Sequence, residues 1–371
     1  MLWSFFSKLQ VSLNFITYKK YRASEKILDF TLFIITALSA SKQRLIKMKI
    51  ATIYHYYELN ETYKENFIFF LNTAIIDQIE YFFYISGSCT VELPSLSNVQ
   101  YANIENKNND FGGVVEFSKN KDSLNFDTYI FVNSSMRGPF VPSYYSSDWH
   151  EVFTSKLSNK IAMVGSSINL LPIESFHSNY FKKQFNYSPP YIHVQTTAYA
   201  LSSVGYRLLS KNGFFSVSQN LKKNDVISHY EILLSQIILN NGYSIASILP
   251  THEEFSVSKR GVSFKNTTKN GDSLYRSAFY GRTLNPTESV FIKTNRNLIS
   301  EKELASYTFT SLALFSLNSF LTEDGFNLFQ KSLEKLHADE SFTITMEQLK
   351  SVLNNVKNNN PILAKELRKL L

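Results

Sequence analysis

Between Lys49 and Val164 the chain alternates short apolar runs with polar, helix-forming stretches. K-I-A-T-I-Y-H-Y-Y, from Lys49 to Tyr57, reads as a first strand, and Tyr63–Thr73 as a helix. Ile79–Ile85, closing on Ser86-Gly87-Ser88, reads as a second strand, and Val99–Ile104 as a third. Phe126–Val132 and Lys160–Val164 are further buried strands. Strands alternating with helices predict an α/β fold, with a mixed, mostly parallel sheet flanked by helices. After about residue 300 the pattern becomes helical. Ser300 and Glu303 form an S-x-x-E capping pattern ahead of Leu304–Phe320. Phe326–Leu336 and Met346–Val356 are amphipathic, and Asn360-Pro361 starts a last short helix. These segments read as a helical bundle or an oligomerisation element.

The first 48 residues differ from the rest. Leu2, Phe5, Phe6, Leu9, Leu13 and Ile16 fall at helical spacing, beside Trp3 and ahead of Lys19-Lys20-Tyr21-Arg22. An aromatic amphipathic helix next to basic residues suits an anionic membrane surface, or packing against the body of the protein. The apolar run Ile27–Ala40 contains Asp29 and has 14 residues, short of the roughly 20 that a spanning helix needs. The expected organisation is a basic helical segment (1–48), an α/β domain (49–297) and a helical C-terminal region (298–371). The expected location is cytoplasmic and peripheral on the membrane.

Charge supports this division. The net charge is +7, from 38 Lys/Arg and 31 Asp/Glu. Residues 1–49 hold nine of the basic residues and only Glu25 and Asp29 of the acidic ones, so the remaining 29 of each sign balance. A nucleic-acid-binding domain needs a basic face on its folded body, and this body is neutral. The single cysteine, Cys89, excludes an intramolecular disulfide and a cysteine metal site, and fits a reducing compartment.

Several local signatures are absent: G-x-G-x-x-G, the G-x-x-x-x-G-K-[ST] phosphate loop, the G-x-S-x-G elbow and H-x-x-x-H. Asp110-Phe111-Gly112 has the look of the kinase metal-binding tripeptide, but no H-R-D segment accompanies it. What remains is the stretch Asn106–Phe140. The loop N-K-N-N-D-F-G-G leads to an apolar strand that ends in Asn133-Ser134-Ser135-Met136-Arg137-Gly138. Ligands of open α/β sheets bind at the carboxyl ends of strands, so this polar cluster reads as a binding site or as turn chemistry. Glu231 stands before the apolar helix I-L-L-S-Q-I-I-L. With Ser228 it matches a capping box; alternatively it is a general base.

In combination these segments resemble the GT-A class of nucleotide-sugar glycosyltransferases, particularly polysaccharide and lipopolysaccharide enzymes of the rhamnan-synthesis-like type. The resemblance rests on the N-x-x-x-D-F-G loop, N-S-S-M-R-G-P-F (Asn133–Phe140), W-x-x-x-F-T-S-K-L (Trp149–Leu157) and V-G-S-S-I-N (Val164–Asn169). H-V-Q-T (His193–Thr196), E-I-L-L-S…N-G-Y (Glu231–Tyr243) and G-R-T-L-N-P…F-I-K-T-N-R (Gly281–Arg296) complete it. It covers about residues 49–297.

The resemblance implies an inverting transfer from a nucleotide-sugar donor to a glycan or glycolipid hydroxyl, with Glu231 as base. It puts the nucleotide near Tyr54, His55, Ser86 and Gly87, and the ribose or donor sugar near Asp110 and Gly112. Asn133, Ser135 and Arg137 would hold the diphosphate, with Arg282 and Lys293 as outer contacts. Such enzymes usually carry D-x-D where Asn133-Ser134-Ser135 stands here, and no D-x-D occurs in the chain. A manganese or magnesium ion would therefore depend on Ser135 and His193, with Arg137, Lys156 or backbone N–H groups near Gly138 as alternative diphosphate partners. A non-catalytic glycan-assembly protein that kept the fold is the competing expectation.

Overall fold

The computed structural model describes residues 48–217, 219–250, 271–316, 319 and 321–337. The proposed membrane-surface segment and the amphipathic stretches beyond residue 337 lie outside the described residues.

The apolar runs form the sheet that their pattern predicts. β1 (Ile50–Tyr57), β2 (Ile79–Ser86), β3 (Val99–Ile104), β4 (Thr128–Asn133), β5 (Met136–Arg137) and β6 (Ile161–Gly165) come first along the chain. β7 (Ile168–Leu170), β8 (Ile192–Val194), β9 (Ala198–Ser202), β10 (Ser244–Ser247) and β11 (Ile292–Lys293) follow. The central sheet has the order β10-β6-β9-β4-β1-β2-β3. β1 pairs in parallel with both β2 and β4, while β9 runs antiparallel between β4 and β6.

Successive side chains of a strand point to opposite faces, and the core divides accordingly. Ile50, Tyr54 and Tyr56 of β1 join one apolar cluster, with Phe67 and Phe70 of α1 (Glu61–Thr73). Ala51 and Ile53 join the other, with Phe111, Val114 and Phe117 of α2 (Phe111–Ser118). Burying each such ring contributes about 1.5–3 kcal/mol.

Further helices are α3 (Phe176–Gln184), α4 (Ser203–Lys211) and α5 (residues 223–240), then α6 (Glu301–Ser316) and α7 (Glu323–His337). Ser300 caps α6 by accepting from Glu303 N–H at 3.1 Å. Leu312 of α6 and Leu328, Phe329 and Leu333 of α7 belong to the same apolar cluster as α1. A partly buried ion network reinforces that packing. Arg137 Nη2 meets Glu65 Oε2 at 2.6 Å, and Lys331 Nζ of α7 meets Glu65 Oε1 at 2.7 Å. Among the described residues, no helix is long and apolar enough to cross a membrane.

Topology places the site. The chain runs outward from β1 to β2 and β3, then returns to put β4 on the other side of β1. The switch point between β1 and β4 is where ligands of such sheets bind. His55 and Asn133 pair across it.

Candidate active site

A polar cavity of about 860 Å³ opens at this switch point. Seven residues singled out from the sequence line it: His55, Asp110, Asn133, Ser135, His193, Glu231 and Lys293. Each is positioned by a traceable local cause.

His55 lies on the cavity-facing row of β1, followed by Tyr57 at the strand end. Its Nδ1 lies 3.4 Å from the Gly113 N–H, a group that can only donate, so Nε2 carries the proton and donates to Ser86 Oγ at 2.7 Å. Burial lowers its pKa, against the pull of Asp110, in keeping with a neutral ring. Gly112 and Gly113 make this packing possible. A Cβ on Gly112 would stand 2.4 Å from the Lys107 carbonyl oxygen and 3.2 Å from His55 Cε1. Gly112 therefore serves loop and imidazole packing and is not part of the cavity lining. Gly112→Ala is expected to cost about 1–3 kcal/mol through overpacking. Denaturant unfolding measures it, and an unshifted midpoint would contradict the close fit.

Asp110 precedes α2 but makes no side-chain cap bond. Its loop is pinned by Asn108, whose Oδ1 accepts from Leu221 N–H at 2.7 Å and whose Nδ2 donates to the Gln219 carbonyl at 3.0 Å. Phe111 stacks on Tyr230 at 4.7 Å, tying the Asp110 segment to the helix that carries Glu231.

That helix corrects the capping-box expectation. It begins at Lys223 rather than Ser228, and residues Ile227–Ile232 form a π-helical turn inside it. The Leu233 N–H bonds back five residues, to the Ser228 carbonyl. Glu231 is thus an interior residue on a π-turn, a distortion frequent at functional sites. Burial raises its carboxyl pKa; Asp110 and Asp272 push the same way, while Lys293 and Arg296 oppose. Burial likewise raises Asp110.

His193 Nδ1 donates to the Tyr191 carbonyl at 3.2 Å, which leaves Nε2 to accept from Asn169 Nδ2 at 3.2 Å. Burial lowers its pKa to about 4, so the ring stays neutral. Asn169 and Thr197 line the cavity with buried, unbonded oxygens, Oδ1 and Oγ1 respectively. Such groups can be satisfied by water or by a polar ligand.

Further expected donor contacts are placed elsewhere. Tyr54 faces the opposite side of the sheet from His55, among Phe67, Phe70 and Phe83. Arg137 is consumed by Glu65, with Nε donating to Asn66 Oδ1 at 3.0 Å. Arg282 is at the surface, forked onto Glu288 with two bonds of 2.6 Å. Gly87 is exposed beyond β2, behind the ring of Tyr57. Lys156 is likewise outside the cavity lining.

The residues at the expected metal position do not fit a divalent cation. Asn133 Oδ1 already accepts from Ser135 N–H at 3.2 Å and from Ser135 Oγ at 2.7 Å. The lone pair of His193 Nε2 is turned to Asn169. Hard cations are held chiefly by carboxylate oxygens, and among the described residues no three His, Cys, Asp or Glu cluster suitably.

Sequence reasoning missed Asp272, Gln195, Arg296 and Tyr275, which complete the wall. Asp272 Oδ2 accepts from Gln195 Nε2 at 2.8 Å and Arg296 Nη1 at 2.7 Å, and Arg296 lies 4.1 Å over the Tyr275 ring. Gln195 and Arg296 sat within quoted motifs without a role; nothing local marks Asp272.

No family model matches the chain, and no curated protein matches it. Among solved structures, it is similar to TarS 1–349 of S. aureus in complex with UDP, at 12% identity over 86% of this chain and 83% of that chain, TM-score 0.33. It is similar to the mannosyltransferase PcManGT from Pyrobaculum calidifontis in complex with GDP-Man and Mn2+, at 9% identity over 87% of this chain and 86% of that one, TM-score 0.31. A third is the galactosyltransferase LgtC in complex with donor and acceptor sugar analogs, at 6% identity over 49% of this chain and 70% of that one, TM-score 0.28.

Proposed function

We propose that this protein is a GT-A-type glycosyltransferase that moves a sugar, with inversion, from a nucleotide-sugar donor to a hydroxyl of a glycan or glycolipid. The observation that carries the reading is the switch-point cavity, with the raised-pKa carboxyl of Glu231 in the same wall as the β1 and β4 strand ends. A cavity of about 860 Å³ lies in the range of small-ligand sites, 300–1,000 Å³.

In this reading the donor's nucleotide lies against His55 and Asp110, and its diphosphate near Asn133, Ser135 and His193. Glu231 takes the proton of the acceptor hydroxyl while that oxygen bonds to the anomeric carbon. The bond from that carbon to the diphosphate breaks, and the nucleoside diphosphate leaves with the electron pair. A carboxylate whose pKa is raised by burial is a stronger base than an exposed one.

The sign of the pH dependence follows. Glu231 must be ionised to act, so transfer falls as pH drops through its raised pKa, above the ordinary glutamate value of 4.5. Nucleoside diphosphate release, followed across pH with the product's anomeric configuration read by NMR, tests the proposal. Release with inversion and an acid limb above 4.5 is expected. No release at any pH, with acceptor and donor varied, would overturn it.

A further inference from the structure

The end of β4 lacks carboxylates for a metal, yet the fold delivers a cation to the same place. β11 pairs antiparallel with β5, with Lys293 opposite Met136 and Ile292 opposite Arg137. Thr294 then clamps the strand end, its N–H and Oγ1 each donating to the Ser135 carbonyl at 3.0 Å across 159 residues of sequence. Asn66 locks both sides, with Nδ2 reaching the Ser134 carbonyl at 3.0 Å and Thr294 Oγ1 at 2.8 Å. Lys293 is thereby fixed beside Asn133-Ser134-Ser135.

Its side chain lines the cavity with those residues, Asp110 and Glu231. Among the described residues its ammonium makes no hydrogen bond or ion pair, whereas the other cation of the inner wall, Arg296, is joined to Asp272. Lys223, the remaining lysine of the lining, is exposed. Lys293 is half-buried, under the attraction of Asp110, Glu231 and Asp272 and the repulsion of Arg296, and an ammonium without a direct partner is costly to hold there. An anionic ligand at that point removes the cost.

We propose that Lys293 is the diphosphate-binding cation of this site, taking the electrostatic role that a metal held by strand-end carboxylates would otherwise fill. The inference rests on the glycosyltransferase reading and adds to it a metal-independent way of holding the donor and stabilising the departing nucleoside diphosphate. Asn133 and Ser135 then serve as a hydrogen-bonding floor.

Calorimetric titration with UDP, GDP and dTDP, each beside its nucleoside and each with and without a chelator, tests this on the full chain. The wild type is expected to bind one diphosphate more tightly than its nucleoside, equally well with chelator. Lys293→Met is expected to weaken the diphosphate about 10- to 100-fold, the scale of a charge-assisted hydrogen bond, and to leave the nucleoside unchanged; Lys293→Arg recovers part of the loss. Equal weakening of nucleoside and diphosphate, no weakening, or a strict requirement for a divalent ion overturns the inference alone. A wild type that binds no diphosphate and no nucleoside overturns the glycosyltransferase reading with it. If Lys293 only balances the charge of Glu231, its loss moves the pH profile and leaves diphosphate affinity intact, which also overturns it.

Discussion

Glu231→Gln is expected to lower turnover by about 10²- to 10⁴-fold, the usual contribution of a positioned general base, while donor affinity stays near that of the wild type. The amide keeps the shape and polarity of the carboxyl but cannot take the acceptor's proton. Stability provides an independent readout. A carboxyl whose folded pKa is raised binds its proton more tightly in the native state, so its ionised form at neutral pH opposes folding. The neutral glutamine should therefore melt at the same temperature or higher. A helix cap behaves in the opposite way, since losing one costs about 1 kcal/mol. Lower stability with unimpaired turnover would make Glu231 a structural residue and remove the proposed base.

Arg137→Met is expected to destabilise the fold by about 3–5 kcal/mol, because it leaves the Glu65 carboxylate in a buried position with half of its partners removed. Burial pushes the Glu65 carboxyl up, but the Arg137 charge and the bonds from Lys331 and Arg137 outweigh it and hold the pKa below the ordinary 4.5. A depressed carboxylate lends stability that is present above its unfolded value and lost as pH falls through the folded one. The gap between wild type and variant should accordingly narrow below pH 4.5, where Glu65 takes up a proton in the variant. Denaturant midpoints at neutral and acidic pH check both parts. A near-neutral effect at pH 7, combined with weakened donor binding, would return Arg137 to the diphosphate.

The fate of Arg137 shows where sequence reading reaches its limit. The strands β1, β2 and β4 were legible as buried apolar runs bounded by polar and turn residues. The antiparallel strand β9 was not, since A-Y-A-L-S is short and rich in alanine, which has low strand propensity. At the cavity, Asn133 was marked by the polar cluster that ends its strand, whereas His55 and Asp110 entered only through the glycosyltransferase resemblance. Period-two alternation also separates Tyr54 from His55, so both could not face one ligand. The destination of Arg137 depends on Glu65, 72 residues earlier, and on Thr308, 171 residues later. No local pattern encodes such pairings. The π-turn under Glu231 is equally hidden, because Ser228 and Glu231 spell a helix start and only the surrounding packing carries the helix back to Lys223.

The central claim is that the β1–β4 cavity binds a sugar nucleotide and that Glu231 acts on the acceptor beside it. The most direct measurement is calorimetric titration of the purified protein with UDP-, GDP-, dTDP- and CMP-sugars, run on wild type and Glu231→Gln in parallel with an assay for nucleotide release. The account predicts saturable one-site binding of one donor class, with matching affinity in both proteins and release confined to the wild type. Absence of binding by every donor would contradict it.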